Sequence, residues 1–131
     1  MQSYAVDITD RAALTQVLQE IRQTVGPING VLHLARLVED ALFVQKSFAD
    51  FERVSAAKVA GTINLDRLTQ ADPLDFFITF SALAAYGLRG AADYAYAAAF
   101  QNAHAHWREQ LVARGQRHGR SRSLCWGQWA M

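Results

Sequence analysis

The chain contains 131 residues, the length of one ordinary domain, so two independent domains are excluded. Hydrophobic residues make up 51% of the sequence, which is enough for a packed core and excludes a disordered or fibrous chain. The formal net charge is +1, from 13 Lys and Arg against 12 Asp and Glu, so neither a nucleic acid nor a membrane is expected as a partner.

Cysteine usage and hydropathy predict a cytoplasmic protein. The single cysteine, Cys125, cannot form an internal disulfide, which favours a reducing compartment. No stretch approaches the ~18 consecutive apolar residues that a membrane-spanning helix requires. The first residues also lack the basic and apolar regions of a signal peptide.

The first half of the chain predicts a strand, a helix and a second strand. Residues 4–8 form a short apolar run that is typical of a strand. An amphipathic helix follows, capped by Thr9 or Asp10 and stopped by Gly26-Pro27. Residues 28–35 are mostly apolar, as in a strand that is covered on both faces.

The second half repeats this alternation. Ser47 is placed to cap a second helix. Residues 74–81 are aromatic and β-branched and form the strongest predicted strand. The alanine-rich residues 91–113 predict a long helix, and residues 123–129 predict a last strand.

The resulting order is β-α-β-α-β-α-β. Strands that alternate with helices of this length imply a parallel sheet with right-handed crossovers. We therefore expect an α/β fold with a Rossmann-type parallel sheet and flanking helices. Ligands of such sheets bind at the carboxyl ends of the strands, which here are residues 35–36, 81–82 and 126–129.

Five segments form a linked set of motifs: GPINGVLHLARLVED, KVAGTINLDRLT, LDFFITFSALAAYG, GAADYAYAAAFQNA and SLCWGQWAM. In this order and spacing they resemble the ketoreductase domain of modular polyketide synthases, a branch of the short-chain dehydrogenases. The Asp-Tyr-Ala-Tyr-Ala run is most similar to ketoreductases of trans-acyltransferase assembly lines. The resemblance implies that NADPH delivers a hydride to the β-keto group of an acyl chain on an acyl carrier protein.

The resemblance also implies a catalytic pair. Tyr94 matches the residue that donates a proton to the carbonyl oxygen, and Lys58 matches the lysine that assists it. A phenol has a pKa of ~10, which is too high for easy proton relay near neutrality. A nearby ammonium lowers that pKa because it favours the phenolate.

A serine hydroxyl that stabilises the developing negative charge is the third catalytic candidate. The family reads Phe-Ser-Ser here, with the second serine catalytic, whereas this chain reads Phe80-Ser81-Ala82. Aligned from the strand, the catalytic serine is replaced by Ala82. Aligned from Tyr94, the loop is one residue short and Ser81 fills the role.

Three further departures argue against hydride transfer by this chain alone. The asparagine that the family carries four residues after the tyrosine is Ala98 here, and Asn102 lies a further helical turn away. Arg36 replaces a glycine near the expected cofactor region. The sequence contains no G-x-G-x-x-G fingerprint. We therefore expect residues 1–131 to form one partial ketoreductase-like domain with an incomplete sheet, without the Gly-rich dinucleotide-binding half and the C-terminal lid.

Two residues are expected on the substrate side. Asp40 matches the second acid of a signature that, in the family, marks enzymes forming the D-configured alcohol. Trp126 is expected to contribute to the core and the wall of the cleft. The basic residues 114–122 predict a solvated connector, with docking of an acidic carrier protein as the alternative.

No metal site is expected. His104 and His106 stand two residues apart on a helix, so they point to different faces and cannot share one ion. His33, at the end of a predicted strand, is expected to be a buried histidine with a hydrogen-bond partner. Cys125 is expected to be a small core residue.

Three functional hypotheses remain open. The chain is part of a competent ketoreductase, a non-catalytic scaffold within an assembly line, or an NADPH-independent acid–base catalyst for dehydration, isomerisation or cyclisation that uses Tyr94 and Lys58. The expected partners are the acyl carrier protein and neighbouring synthase domains. Residues 4–8 would need a pairing partner, which a homo-oligomer or a complementing half-domain would supply.

Overall fold

The computed structural model describes residues 2–127. Three parallel strands and three long helices alternate along the chain, with two short 3-10 turns at Phe43–Gln45 and Leu83–Tyr86. Within the described range, no helix is long and apolar enough to cross a membrane. The main elements are α1 (Arg11–Thr24), β1 (Gly30–His33), α2 (Phe48–Leu68), β2 (Phe76–Phe80), α3 (Ala92–Ala113) and β3 (Arg120–Leu124).

The sheet has the order β1-β2-β3, and both pairings are parallel. Leu32 aligns with Ile78, which in turn aligns with Arg122. Because both crossovers step across the sheet in the same direction, α2 and α3 lie on the same face. Phe77 is buried on that face, whereas Leu32 on the opposite face is 56% exposed. The expected incomplete Rossmann-type sheet with flanking helices is confirmed.

The strand predicted at residues 4–8 is wrong, because this segment forms no strand. Its end is instead held against α2, where the side chain of Asn64 donates to the carbonyls of Ile8 and Thr9 at 3.0 and 3.1 Å. A Cβ on Gly61 would lie 2.5 Å from Ile8 Cδ1, so the glycine permits this close approach. The side-chain amide of Asn64 therefore satisfies two backbone carbonyls that a neighbouring strand would otherwise pair.

The helix starts agree with the predicted caps. Asp10, rather than Thr9, accepts from the amides of the first turn of α1. Ser47 begins α2 with a capping box that includes Asp50. The last strand begins at Arg120 rather than at residue 123, because Arg120 aligns with Phe76 at the start of β2. Residues 128–129 of the predicted strand lie outside the described residues.

A buried ionic network ties α3 to α2 and to the start of β3. The Arg108 guanidinium is fully buried and donates to Asp66 Oδ1 at 2.7 Å. It also donates to the carbonyls of His118 and Gly119 and to the hydroxyl of Ser121. Because the remaining donors are satisfied locally, the pair avoids the penalty of an incompletely hydrogen-bonded buried charge.

Removing the buried arginine is expected to destabilise the fold strongly. Arg108→Met leaves Asp66 with Arg117 as its remaining guanidinium partner and takes the donor away from the carbonyls of His118 and Gly119. We therefore expect the free energy of unfolding to fall by about 3–5 kcal/mol. Urea denaturation measures this change. The matched control is Arg117→Met, which removes a second, partly exposed partner of Asp66 and should cost roughly 1 kcal/mol. Equal losses in the two variants would contradict this assignment.

Candidate active site

The structure brings Tyr94 and Lys58 together at the carboxyl end of β2. Lys58 lies on α2 and Tyr94 on the first turn of α3. Lys58 Nζ is 5.6 Å from the centroid of the tyrosine ring. Lys58 is 1% exposed and Tyr94 is 8% exposed. The pair therefore lies inside the junction of α2, α3 and the sheet.

The position of Lys58 is fixed by two oxygen acceptors. Its ammonium donates to the carbonyl of Phe80, the last residue of β2, at 2.5 Å and to Gln101 Oε1 at 3.0 Å. The Gln101 amide donates in turn to Thr62 Oγ1 on α2 at 3.3 Å. Gln101 was not predicted as a site residue, although it stands seven residues after Tyr94 and so shares its helix face.

The surroundings of Lys58 destabilise its charge. Burial, together with the nearby charge of Arg36, lowers the pKa of Lys58 to about 8. Burial also lowers the pKa of His33 to about 4, with the charge of Lys58 as the next contribution. The His33 ring nitrogen Nε2 lies 3.1 Å from the carbonyl of Ala57, which confirms the expected buried and hydrogen-bonded histidine.

The structure distinguishes Ser81 from Ala82. The Ser81 hydroxyl is fully buried and donates to the carbonyl of Ala98 at 2.9 Å. Ala82, the next residue, belongs to the buried cluster that contains Tyr94. The chain therefore places a methyl group in the tyrosine cluster and turns the serine hydroxyl toward the backbone of α3.

Apart from the Lys58 ammonium, the side chains that pack with the Tyr94 ring form an apolar cluster. Its buried cluster includes Ala98, where the sequence lacks the expected asparagine, as well as Ala82. Between residues 2 and 127, the Tyr94 hydroxyl makes no hydrogen bond. Alanine stands where the asparagine was expected, and of the two alternatives for the serine it is Ala82, not Ser81, that belongs to the cluster. The remaining buried members of the cluster are Val54, Ala84 and Ala91.

The other sequence candidates lie around this junction. Asp40 is exposed on the loop between β1 and α2. The Trp126 ring packs on Phe80 with centroids 4.8 Å apart, which places it beside the end of β2. Asn102 is not near the tyrosine hydroxyl, because its Oδ1 accepts from Ser123 Oγ at 2.6 Å and ties α3 to β3.

The remaining polar residues considered from the sequence are His104 and His106 on α3 and Cys125 after β3. His104 is buried and His106 is exposed, so they lie on different faces of α3 as predicted. Among the described residues, no cluster of His, Cys, Asp or Glu could hold a metal ion. Cys125 is only partly buried, and its thiol donates to Asn102 Oδ1 at 3.3 Å.

Comparison with known proteins places this arrangement in a family. The family model described as the KR domain matches residues 1–131. The chain is 40% identical over 124 residues to the polyketide synthase PksL of Bacillus subtilis (strain 168), covering 94% of this chain and 3% of that protein. It is 38% identical over 124 residues to the synthase PksN of the same organism, covering 94% of the chain and 2% of that protein.

Solved structures give the same result. A ketoreductase domain from the bacillaene assembly line superposes with a TM-score of 0.91 at 36% identity, over 94% of this chain and 30% of that one. A short-chain dehydrogenase/reductase from Brucella melitensis superposes with a TM-score of 0.86 over 96% of this chain and 51% of that one, but at 18% identity it shows the fold alone. The chain belongs to the KR domain family, the ketoreductases of polyketide synthases, and the resemblance predicted from the motifs is confirmed.

The lowered pKa of Lys58 makes the stability of the fold depend on pH. Folded Lys58 loses its proton near pH 8, whereas the unfolded chain keeps it until about pH 10.5. Between these values the unfolded state binds more protons, so raising the pH stabilises the fold, here by roughly 1–3 kcal/mol. We expect this rise in urea titrations of the wild type and its loss in Lys58→Met.

Arg36→Gln provides the matched control for this titration. Removing the exposed charge should raise the pKa of Lys58 and reduce the slope without abolishing it. Comparing slopes between variants isolates the contribution of Lys58 from that of all groups common to both proteins. Parallel profiles for the wild type and Lys58→Met would refute the assignment.

Proposed function

We propose that the chain is the carboxyl-side part of a polyketide synthase ketoreductase that acts on β-ketoacyl chains attached to an acyl carrier protein. We further propose that this part is impaired in NADPH-dependent reduction by itself. The family assignment supports the substrate class, since the curated relatives are polyketide synthases of which the chain spans only about 3%. The dinucleotide-binding half and the C-terminal lid would then be supplied by residues outside this sequence.

Tyr94 is proposed as the proton donor to the substrate carbonyl. A carbonyl that receives a hydride accumulates negative charge on its oxygen, and a phenol placed beside it can donate a proton there. Lys58, whose ammonium lies 5.6 Å from the ring centroid, would favour the phenolate that remains. The Phe80 carbonyl and Gln101 hold the ammonium in that position.

The observation that supports impaired reduction is the apolar cluster around Tyr94. Ala82 and Ala98 share this cluster, and neither side chain can donate a hydrogen bond to a developing oxyanion. Loss of one such donor typically slows an enzyme by about 10²–10³-fold. Ser81 does not compensate, because its hydroxyl proton is directed to the Ala98 carbonyl. We therefore assign Ser81 a structural role.

The residues present fit an NADPH-dependent site only in part. Tyr94 and Lys58 fit the proton-donating half of the reaction, in which NADPH supplies the hydride. The surrounding alanines do not fit the other half, and the sequence has no glycine-rich turn to bind a pyrophosphate. These residues do not by themselves form a nicotinamide site.

The proposed partners follow from the family. The acyl carrier protein would present the substrate, and neighbouring polyketide synthase domains would act before and after this one in the cytoplasm. The face of the sheet opposite α2 and α3 exposes Leu32 and Leu124, so a complementing half-domain or a second copy would have apolar surface to cover.

A non-catalytic scaffold is the second candidate, and the low exposure of Tyr94 favours it. At 8% exposure most of the side chain is covered, and the hydroxyl, which is not among the buried unpartnered atoms, is the part that a substrate could meet. The same observation weighs against NADPH-independent dehydration, isomerisation or cyclisation, because such chemistry needs an accessible Tyr94. Two cavities among the described residues, of about 380 and 340 Å³, are lined by other side chains.

Restoring the missing donors is expected to restore reduction. In Ala82→Ser/Ala98→Asn, a hydroxyl would be available to the substrate oxygen and an amide would add a polar group beside Tyr94. We expect kcat for a β-ketoacyl pantetheine thioester with NADPH to rise about 10²-fold. The measurement is NADPH oxidation by the full protein. Measurable wild-type turnover that is as fast as that of the double variant would contradict the proposed impairment.

Two further variants test whether the gain depends on Tyr94 and whether the change at Ala98 disturbs the fold. Adding Tyr94→Phe to the double variant should remove the gain, because the proton donor is then absent. Ala82→Ser alone tests the less disruptive change, since fully buried Ala98 leaves little room for a larger side chain. If the double variant folds cooperatively and neither it nor the single variant reduces the thioester, the scaffold reading is preferred.

A further inference from the structure

The loop between β1 and α2 is fastened to α3 by a buried ion pair that the proposed reaction does not use. Lys46 Nζ lies 2.6 Å from Asp93 Oδ2, and their side chains are only 4% and 1% exposed. Lys46 and Lys58 are the only lysines in a chain with 13 basic residues. Burying such a pair costs several kcal/mol per ion in desolvation before the attraction offsets it.

The acidic partner is fixed directly beside the candidate proton donor. Asp93 precedes Tyr94, and its Oδ1 accepts from the Tyr94 amide at 2.8 Å while Oδ2 binds the lysine. Ala91, the residue at the cap position of α3, makes no side-chain hydrogen bond. The Asp93 carboxylate therefore binds one of the free amides at the positive end of this helix.

The basic partner holds the loop at a second point. Lys46 Nζ also donates to the carbonyl of Glu39. Two residues later, the amide of Ala41 donates to the carbonyl of Gly90 at 2.9 Å, immediately before α3. The residues on both sides of Asp40 are therefore fixed. Glu39 is linked through Lys46 to Asp93, and Ala41 binds Gly90 directly.

The same loop supplies part of the Tyr94 surroundings. Leu37 packs against the buried cluster that contains Tyr94. A change in the loop therefore changes what a substrate meets at the tyrosine. A buried lysine with two hydrogen bonds forms a rigid link, because its ammonium is held by fixed protein acceptors and not by exchanging water.

We propose that Lys46 and Asp93 are positioning residues that set the loop of residues 36–46 against Tyr94 and thereby shape the binding site for the β-ketoacyl chain. This proposal rests on the proposed function for its substrate, whereas the rigid link itself does not. Neither residue contacts the reacting atoms. They act through the loop and through the first turn of α3.

The test replaces both charges together. Lys46→Met alone would leave a buried carboxylate unpaired and endanger folding, so the informative variant is Lys46→Met/Asp93→Asn. Asparagine keeps an oxygen for the Tyr94 amide, and methionine keeps the length of the lysine side chain. We expect hydrogen exchange in residues 36–46, the Ala41 amide included, to become about tenfold faster. We also expect KM for the β-ketoacyl thioester to rise several-fold with little change in kcat.

Arg53→Met is the matched control. It removes an exposed ion pair to the Glu39 side chain of the same loop and should leave exchange and KM near wild type. Unchanged exchange in the double variant, or faster exchange without a change in KM, would overturn the proposal. So would an equal effect of Arg53→Met. If neither the wild type nor Ala82→Ser/Ala98→Asn shows turnover, the proposed function fails, while the exchange measurement still decides whether Lys46 and Asp93 hold the loop.

Discussion

The buried ammonium of Lys58 is the constraint on which the site depends. It connects three elements, since Lys58 lies on α2 and donates to the end of β2 through Phe80 and to α3 through Gln101. An ammonium this far from water must keep these acceptors, because an unpaired buried charge would cost several kcal/mol. These two hydrogen bonds fix the spacing of α2 and α3 at this end of the sheet. They also place the Lys58 ammonium over the Tyr94 ring.

Around this fixed pair, the buried side chains that pack with Tyr94 are apolar. Ala82 and Ala98 pack with Tyr94, so the core gains cohesion and the tyrosine loses donors that would cooperate with it. The arrangement explains how a ketoreductase fold can keep its central tyrosine and lysine while its proposed chemistry is weakened. The methyl groups of Ala82 and Ala98 stabilise the fold because they are buried in apolar contacts. They weaken catalysis because an oxyanion needs hydrogen-bond donors, which methyl groups lack.

Much of this could be predicted from linked motifs. The helices and the parallel sheet follow from patterns that are local in sequence, whereas Tyr94 and Lys58 were identified through the resemblance of the motifs to a family. The choice between Ser81 and Ala82 could not be made, because a loop one residue short can be aligned from either side. The direction of the Ser81 hydroxyl depends on α3, which contacts it from 17 residues away.

Other features depend on distant partners that no local pattern shows. Residues 4–8 have strand-like composition, yet a strand forms only where a neighbour pairs with it, and Asn64 takes that place from 56 residues away. The ion pair of Lys46 and Asp93 joins residues 47 apart. Gln101 shows one weak signal, a polar residue on the buried face of an alanine-rich helix, whose meaning becomes clear only when Lys58 is seen beside it.

The central claim is that the carbonyl of a bound substrate meets few hydrogen-bond donors in this site. Infrared spectroscopy of a bound β-ketoacyl thioester tests it directly, because each donor to the ketone oxygen lowers its C=O stretching frequency, and the measurement requires no turnover. The account predicts a small shift in the wild type, from Tyr94 at most, and a clearly larger shift in Ala82→Ser. A wild-type shift already as large as that of the variant would contradict the account.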